Sequence, residues 1–353
     1  MAVIFLEEES IRKSFFPFTY TRSVADLRIG ILTIREKWEQ IFGYKVIDNR
    51  SSDPEALSLP ANWIPNREWL SSDEKKAFRL EDLSSAGNSI RKILYPWHIF
   101  QFNDREIRID FELLTMGRES APISGSNKVI VPEKVFLEKG ARAEYAFLNA
   151  SSGPIYIGKD AEIMEGAMLR GPVAICEGSV VKLGATIYGG TTIGPHCIVG
   201  GEIKNSVMFD HSNKAHHGYL GDSVVGSWCN LGAGTSNSNL KNNAGEVAVW
   251  VEAEGSFVIA GQKCGLLMGD YSRSAINTSF NTGTVVGICC QLYEPGLTPK
   301  FIPSFSWGSS AKYELDKAIH DIRAWKKLKN QSLSDAEIQT LTHIFGESKT
   351  DLK

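Results

Sequence analysis

Read in blocks of six, residues 155–202 run IYIGKD, AEIMEG, AMLRGP, VAICEG, SVVKLG, ATIYGG, TTIGPH and CIVGGE. The third place of every block is aliphatic: Ile157, Ile163, Leu169, Ile175, Val181, Ile187, Ile193 and Val199. The first place is small or β-branched, from Ile155 and Ala161 to Thr191 and Cys197, and glycines such as Gly158, Gly178 and Gly194 recur around the aliphatics. An α-helix would need 3.6-residue spacing and a meander would need longer strands. A strict period of six predicts a short strand and a turn. Three such units close a triangular coil, with the aliphatic aimed at the axis and the small residue at the corner. Stacked coils then pair their backbones at about 4.8 Å. The pattern marks a parallel β-helix, and the type it resembles is the left-handed one.

The register extends in both directions with lapses. Upstream, Val131 and Leu137 hold phase, Ala143 holds it weakly and Asn149 breaks it. Downstream, a break opens at Val207 and runs to His217, before Val225-Gly226 and Leu231-Gly232 resume the step. A second excursion spans about 235–247, and the coil signal returns near Phe257–Ile259, Leu266–Gly269 and Val285–Gly287. Loops ejected from a rigid solenoid are where such folds carry chemistry. Beyond a proline-rich strip at 295–303, residues 311–328 show helical spacing through Leu315, Ala318, Ile319, Ile322, Trp325 and Leu328. Ser334 and Glu337 form a capping-box pattern for a second helix that Gly346 can end. Before the repeat, MAVIFLEEES reads as a first strand, Ile31–Phe42 as a helix, and Tyr44–Ile47 and Ile107–Phe111 as strands. The expected organisation is an α/β layer domain over 1–125, a parallel β-helix over 126–305 and packing helices over 306–353.

Composition narrows the function classes. The 38 basic and 41 acidic residues leave a net charge of −3, without the basic excess of a nucleic-acid binder. No apolar run approaches the roughly 18 residues of a membrane span, and the start lacks the features of a signal peptide. The six cysteines show no zinc spacing and suit a reducing compartment, so a cytoplasmic protein is expected. Cys289-Cys290 reads as inert packing. Trp63, Trp69 and Trp97 read as aromatic core sooner than as base-stacking groups.

Candidate chemistry lies in NKAHHGYLGD at 213–222 and WCNLGAGTSNSN at 228–239. A histidine can accept a proton from an attacking amine or hydroxyl at neutral pH; His216 and His217 are otherwise ordinary solvated residues. No metal-ligand spacing accompanies them. YLGD, an eleven-residue step from Tyr219 to Asn230 with LGAGT, and then Asn239, resemble the acetyltransferase half of the bifunctional N-acetylglucosamine-1-phosphate uridylyltransferases, as do the coils before them. The resemblance implies that a histidine deprotonates the sugar amine as it attacks acetyl-coenzyme A. Counting back from Tyr219 places that base at His216, the preferred alignment, and counting forward from Lys214 places it at His217. Tyr219 and Asn230 match acceptor contacts and Asn239 matches a position near the acyl-transfer centre. After Asn239 the chain reads Leu240-Lys241-Asn242 instead of Tyr-Asp-Gly, and Lys241 stands in for the family's later lysine, whose place is held by Gly245.

PFTYTRSVADLRIGILTIREKW at 17–38 is similar to the phosphate-cradling loop of sugar-nucleotide pyrophosphorylases. Thr21-Arg22 matches its Thr-Arg and Arg28 its lysine, which makes them nucleotide- or phosphate-binding candidates. The loop's glycines are replaced by Phe18, Thr19 and Tyr20, and the Ala61–Pro65 segment offers no carboxylate for Mg²⁺. A reduced nucleotidyltransferase-like domain follows. Three functions are open: acyl transfer to an amino-sugar phosphate with acetyl-coenzyme A as co-substrate, nucleotidyl transfer to a sugar-1-phosphate with Mg²⁺, or non-catalytic binding of a nucleotide sugar. The resemblance further implies a homotrimer that binds neither nucleic acid nor membrane.

Overall fold

The computed structural model describes residues 3–65, 91–308 and 311–348. Short strands stack into three faces of one solenoid. The first face holds nine parallel strands, from Val135–Leu137 to Phe301–Ile302. The second holds ten, from Arg142–Ala143 to Ala311–Lys312, the last of them antiparallel. The third runs through six strands from Lys128–Ile130 to Tyr219–Gly221, and the pair Ser236–Asn237 and Ser279–Phe280 continues it. The repeat sets this ladder: Ile157 pairs with Ile175, Ile175 with Ile193 and Ile193 with Met208. All four are fully buried in a single apolar column. Each such side chain removed from water stabilises the fold by roughly 1.5–3 kcal/mol.

The break at 207–217 is not an ejected loop. From Val199 to the next inward residue, Ile203, is four residues, and from Ile203 to Met208 is five. Two shortened corners shift the phase while the coil continues, so Asn213–Lys214 and Tyr219–Gly221 are ladder strands. The true excursion leaves after Asn239. It is an antiparallel hairpin of Val247–Val251 and Ser256–Gly261, so Phe257–Ile259 belongs to the hairpin and not to a coil.

The N-terminal part is a three-stranded parallel sheet with Val3–Glu7 between Lys45–Ile47 and Leu57–Pro60. Helix α1 (Ile34–Phe42) joins the first two strands behind a capping box made by Thr33 and Glu36. Ile107–Phe111 is no strand; it lies within helix α2 (His98–Thr115). That helix buries Ile99, Phe100, Asn103, Glu106, Ile107 and Asp110 at helical spacing, and the three polar members disguised the period. Each has a built partner. Lys37 of α1 bonds Glu106 at 3.1 Å and pairs with Asp110, and Asp110 accepts the amides of Ile31 and Leu32 at 2.8 and 3.0 Å. Asn103 accepts the Gly30 amide at 2.7 Å and donates to Gly190 O at 2.8 Å on the solenoid.

Two faces of the solenoid are thus covered from outside. The N-terminal part, α2 and the inner edge of the hairpin (Val247, Val249, Val251) share one apolar cluster with Val207, Val224, Leu267 and Val285 of the first face. Helices α3 (Leu315–Leu328) and α4 (Asp335–Glu347) pack Ile322, Leu341 and Ile344 on Trp228, Tyr271 and Phe305. Those three residues occupy one corner column at φ of 60°, 61° and 59°, stacked above His196 and His211. Ser334 caps α4 in a capping box with Glu337, and the helix runs one residue past Gly346.

Arg22 fastens the N-terminal part to the solenoid. It pairs with Asp270, donates to Ser227 Oγ at 2.9 Å and lies 4.7 Å over the Phe209 ring, while Thr21 Oγ1 also donates to Asp270 at 2.5 Å. Removing one member of a buried ion pair strands the other charge and costs about 3–5 kcal/mol. Arg22→Met should therefore lower urea stability by about that much, and adding Asp270→Asn, whose side-chain oxygen can still accept the Ser227 amide, should restore most of it. A single variant as stable as wild type would contradict this role for the pair.

Candidate functional site

The histidines sit at the corner between the second and third faces. Asn213–Lys214 ends the second-face strand, 215–218 turns, and Tyr219–Gly221 begins the third-face strand. The corner backbone is held from several sides. Lys214 Nζ donates to His216 O at 2.5 Å and Gly234 N donates to His217 O at 3.0 Å. Below the corner, a Cβ on Gly201 would lie 2.7 Å from His216 O, and one on Gly218 would lie 2.0 Å from Thr235 O. Only glycine permits this approach, and both positions have positive φ. The His216 and His217 side chains are exposed.

Tyr219 and Asn239 are brought together. Asn239 Nδ2 donates to Tyr219 Oη at 3.1 Å and also bonds Asp222. Asp222 is buried and accepts from Asn205 Nδ2 at 2.7 Å, so its carboxylate orients the Asn239 amide. Burial, and next the charge of Asp222, push the Tyr219 hydroxyl up to about 12. Asp222 and Asn205 escaped the sequence reading, although the Gly-Asp of YLGD was a usable signal. Lys204, paired with Gly221 in the ladder, is a further cation beside this group.

The other candidates lie apart. Asn230 is on the second face, where it accepts from Asn213 Nδ2 at 3.4 Å. Lys329, at the end of α3, donates to Asn213 Oδ1 at 3.1 Å. Tyr219 and Asn230 therefore occupy different faces of one chain. Lys241 stands where the chain leaves for the hairpin, and burial and then its charge lower the Lys300 ammonium.

Thr21, Arg22 and Arg28 share a cleft of about 480 Å³ between the N-terminal part, the solenoid and α4. Their polar groups are already committed: Thr21 and Arg22 to Asp270, and Arg28 to Ile31 O and, at 3.7 Å, to Glu36. The cleft's carboxylates are equally engaged, Asp26 by Arg35, Glu337 by Lys326, and Asp210 by His211 and Ser227. These residues do not fit a Mg²⁺ ion, which needs open carboxylate oxygens. Among the described residues no group of three or more His, Cys, Asp or Glu is placed to hold a metal. Asn62 donates to Ile93 O at 2.8 Å, a structural bond. Asp104 pairs with Arg108 on α2 at 2.8 Å. Trp97 is core, Trp63 lies under Lys92, and Trp69 falls outside the described residues. The six cysteines are free and buried, and burial raises the thiols of Cys176 and Cys290 to about 11.

The chain is a β-solenoid protein with an α/β part docked on one face and two helices on another. Residues 3–50 match the profile of the family described as "Sugar nucleotidyl transferase". Over 86 residues the chain is 36% identical to the bifunctional protein GlmU of Methanococcus maripaludis, covering 24% of this chain and 20% of that protein. It is also 36% identical over 96 residues to a bifunctional sugar-1-phosphate nucleotidylyltransferase/acetyltransferase of Sulfurisphaera tokodaii, covering 27% of this chain and 23% of that one. These matches span about a fifth of the relatives' own length. Among solved structures, the Arabidopsis UDP-N-acetylglucosamine acyltransferase aligns at 15% identity and a TM-score of 0.21, over 52% of this chain and 69% of that one.

If Asp222 sets the electrostatics around Tyr219, then Asp222→Asn should bring the Tyr219 hydroxyl down from about 12. It should stop above the ordinary 10.0, because burial remains. A difference titration of phenolate absorbance against Tyr219→Phe reads this directly. An unchanged value would show that the carboxylate does not face the ring.

Proposed function

We propose that the protein transfers an acyl group from acetyl-coenzyme A to the amine of an amino-sugar phosphate. The observation that carries this reading is the exposed His216–His217 corner next to the bonded Tyr219–Asn239 pair. The name of the Sulfurisphaera tokodaii relative, which joins nucleotidylyl and acetyl transfer, agrees with it. The amine nitrogen attacks the thioester carbonyl carbon as its proton passes to the imidazole of His216. The C–S bond then breaks, and the departing thiolate takes that proton from the imidazolium. Tyr219 and Asn239 hold the acceptor, and Lys204, paired with Gly221 in the ladder, and Lys241, two residues beyond Asn239, supply positive charge for its phosphate.

The same reading makes the protein a cytoplasmic homotrimer. Phe147, Met168 and Tyr188 stand 52%, 46% and 38% exposed on the third face, which no described segment covers. A threefold ring joins unlike surfaces of neighbouring copies. Asn230 lies on a different face from Tyr219, in the ladder between Asn213 and Arg273, whose side chains meet Lys329 and Trp325. Light scattering at micromolar concentration tests the trimer, and a monomeric mass rejects it.

His216→Ala should lower acyl transfer by about 10²–10⁴-fold with little change in melting temperature, since the side chain is exposed. His217→Ala should be milder; the reverse order would move the base to His217. Wild-type rates in both variants would remove the chemical basis of the reading and favour binding alone. Nucleotidyl transfer is the second reading, favoured by the profile match over residues 3–50. The commitment of Thr21, Arg22 and Arg28 within the fold predicts little or no pyrophosphate release from UTP or dTTP with common sugar-1-phosphates. Robust Mg²⁺-dependent release would overturn that expectation.

A further inference from the structure

Lys214 occupies a place in the solenoid that its neighbours give to aliphatic side chains. In the second-face ladder it pairs with Val199, and Val199 pairs with Val181. Both valines are fully buried in the axial column, and Lys214 is 1% exposed. Burying an ammonium among apolar side chains is costly unless its N–H groups find acceptors. The other coils show that the solenoid itself does not require a lysine there.

The acceptors explain the residue. In regular coils the carbonyl just after the inward residue closes a turn with the amide three residues on. Ala167 N donates to Met164 O and Ala185 N to Lys182 O, each at 3.2 Å, and Thr235 N donates to Gly232 O at 3.1 Å. The matching carbonyl in the shortened corner is Gly200 O, and Lys214 Nζ donates to it at 3.2 Å. The same ammonium reaches His216 O at 2.5 Å. The side chain therefore runs from the axis to the corner and ties the four-residue corner of one coil to the histidine corner of the next.

We propose that Lys214 is a positioning residue that fixes the His216 peptide from inside the solenoid and so sets the direction in which the His216 and His217 side chains leave it. That these histidines serve acyl transfer rests on the function proposed above; the bracing itself does not. Burial also lowers the Lys214 ammonium to about 8, as expected of a cation held in an apolar column.

Lys214→Met fills the axis with an apolar chain of similar length and removes the donors. The solenoid should persist, with far-ultraviolet circular dichroism and cooperative melting retained. Hydrogen exchange measured by mass spectrometry should quicken at least about tenfold at Glu202 and Gly234, whose amides donate to Gly218 O and His217 O of this corner, because bonded amides exchange through local opening. Peptides from 173–199 should be unaffected. In acyl transfer kcat should fall about tenfold or more with KM for the thioester unchanged, the mark of misaligned chemistry. Unaltered exchange at both Glu202 and Gly234 overturns the proposal. If wild type shows no acyl transfer, the functional reading fails while the exchange result still decides the brace. Should the variant not fold, native reductive methylation of wild type decides: Lys214 must be among the last lysines modified, and early modification overturns the proposal.

Discussion

The whole molecule depends on the pairing of each coil with the next. A strand of two or three residues cannot hold itself together; it persists because parallel neighbours satisfy its backbone and an inward side chain closes the axis. Once Ile157, Ile175, Ile193 and their successors form that column, every residue beside them points outward, and each face must be wetted or covered. The first face is covered by the N-terminal part and the second, near its end, by α3 and α4. Among the described residues the third face, where Tyr219, Asp222 and Asn239 gather, is left open, as are the first strands of the second.

The sequence made the column plain because its period is short and unbroken from Ile157 to Val199. It obscured the histidine corner because two corners are shortened there and because a lysine, Lys214, takes an aliphatic's place. A polar residue at an axial position reads as a lapse of the repeat, although its ammonium makes the bonds a turn would have made. Helix α2 was hidden in the same way, since Asn103, Glu106 and Asp110 are buried where apolar residues were sought. One signal was available. First-face strands such as VAI at 173–175 and LLM at 266–268 carry no outward charge, whereas MLR at 168–170 on the third face does. Strands buried on both sides read as continuous apolar runs.

For the N-terminal segment, residue types were legible and partners were not. Thr21, Arg22 and Arg28 do gather around one cleft. Asp270, which takes up the first two, lies 248 residues from Arg22 along the chain, beyond any local pattern. A cation selected by motif can serve phosphate or a carboxylate of its own fold, and only the tertiary structure distinguishes the two.

The shared cluster between the two ends of the chain also bears on how the protein is made. Phe18, Trp38 and Phe100 belong to one cluster with Val247, Leu267 and Val285, so the N-terminal part lacks one wall of its core until those residues exist. At about 5–20 residues per second, the ribosome delivers that wall roughly ten to forty seconds after Phe100. During that interval the nascent segment presents aromatic surface to solvent, and its burial waits on a scaffold not yet synthesised. Unlike most multi-part chains, this one cannot complete its parts in the order in which they emerge.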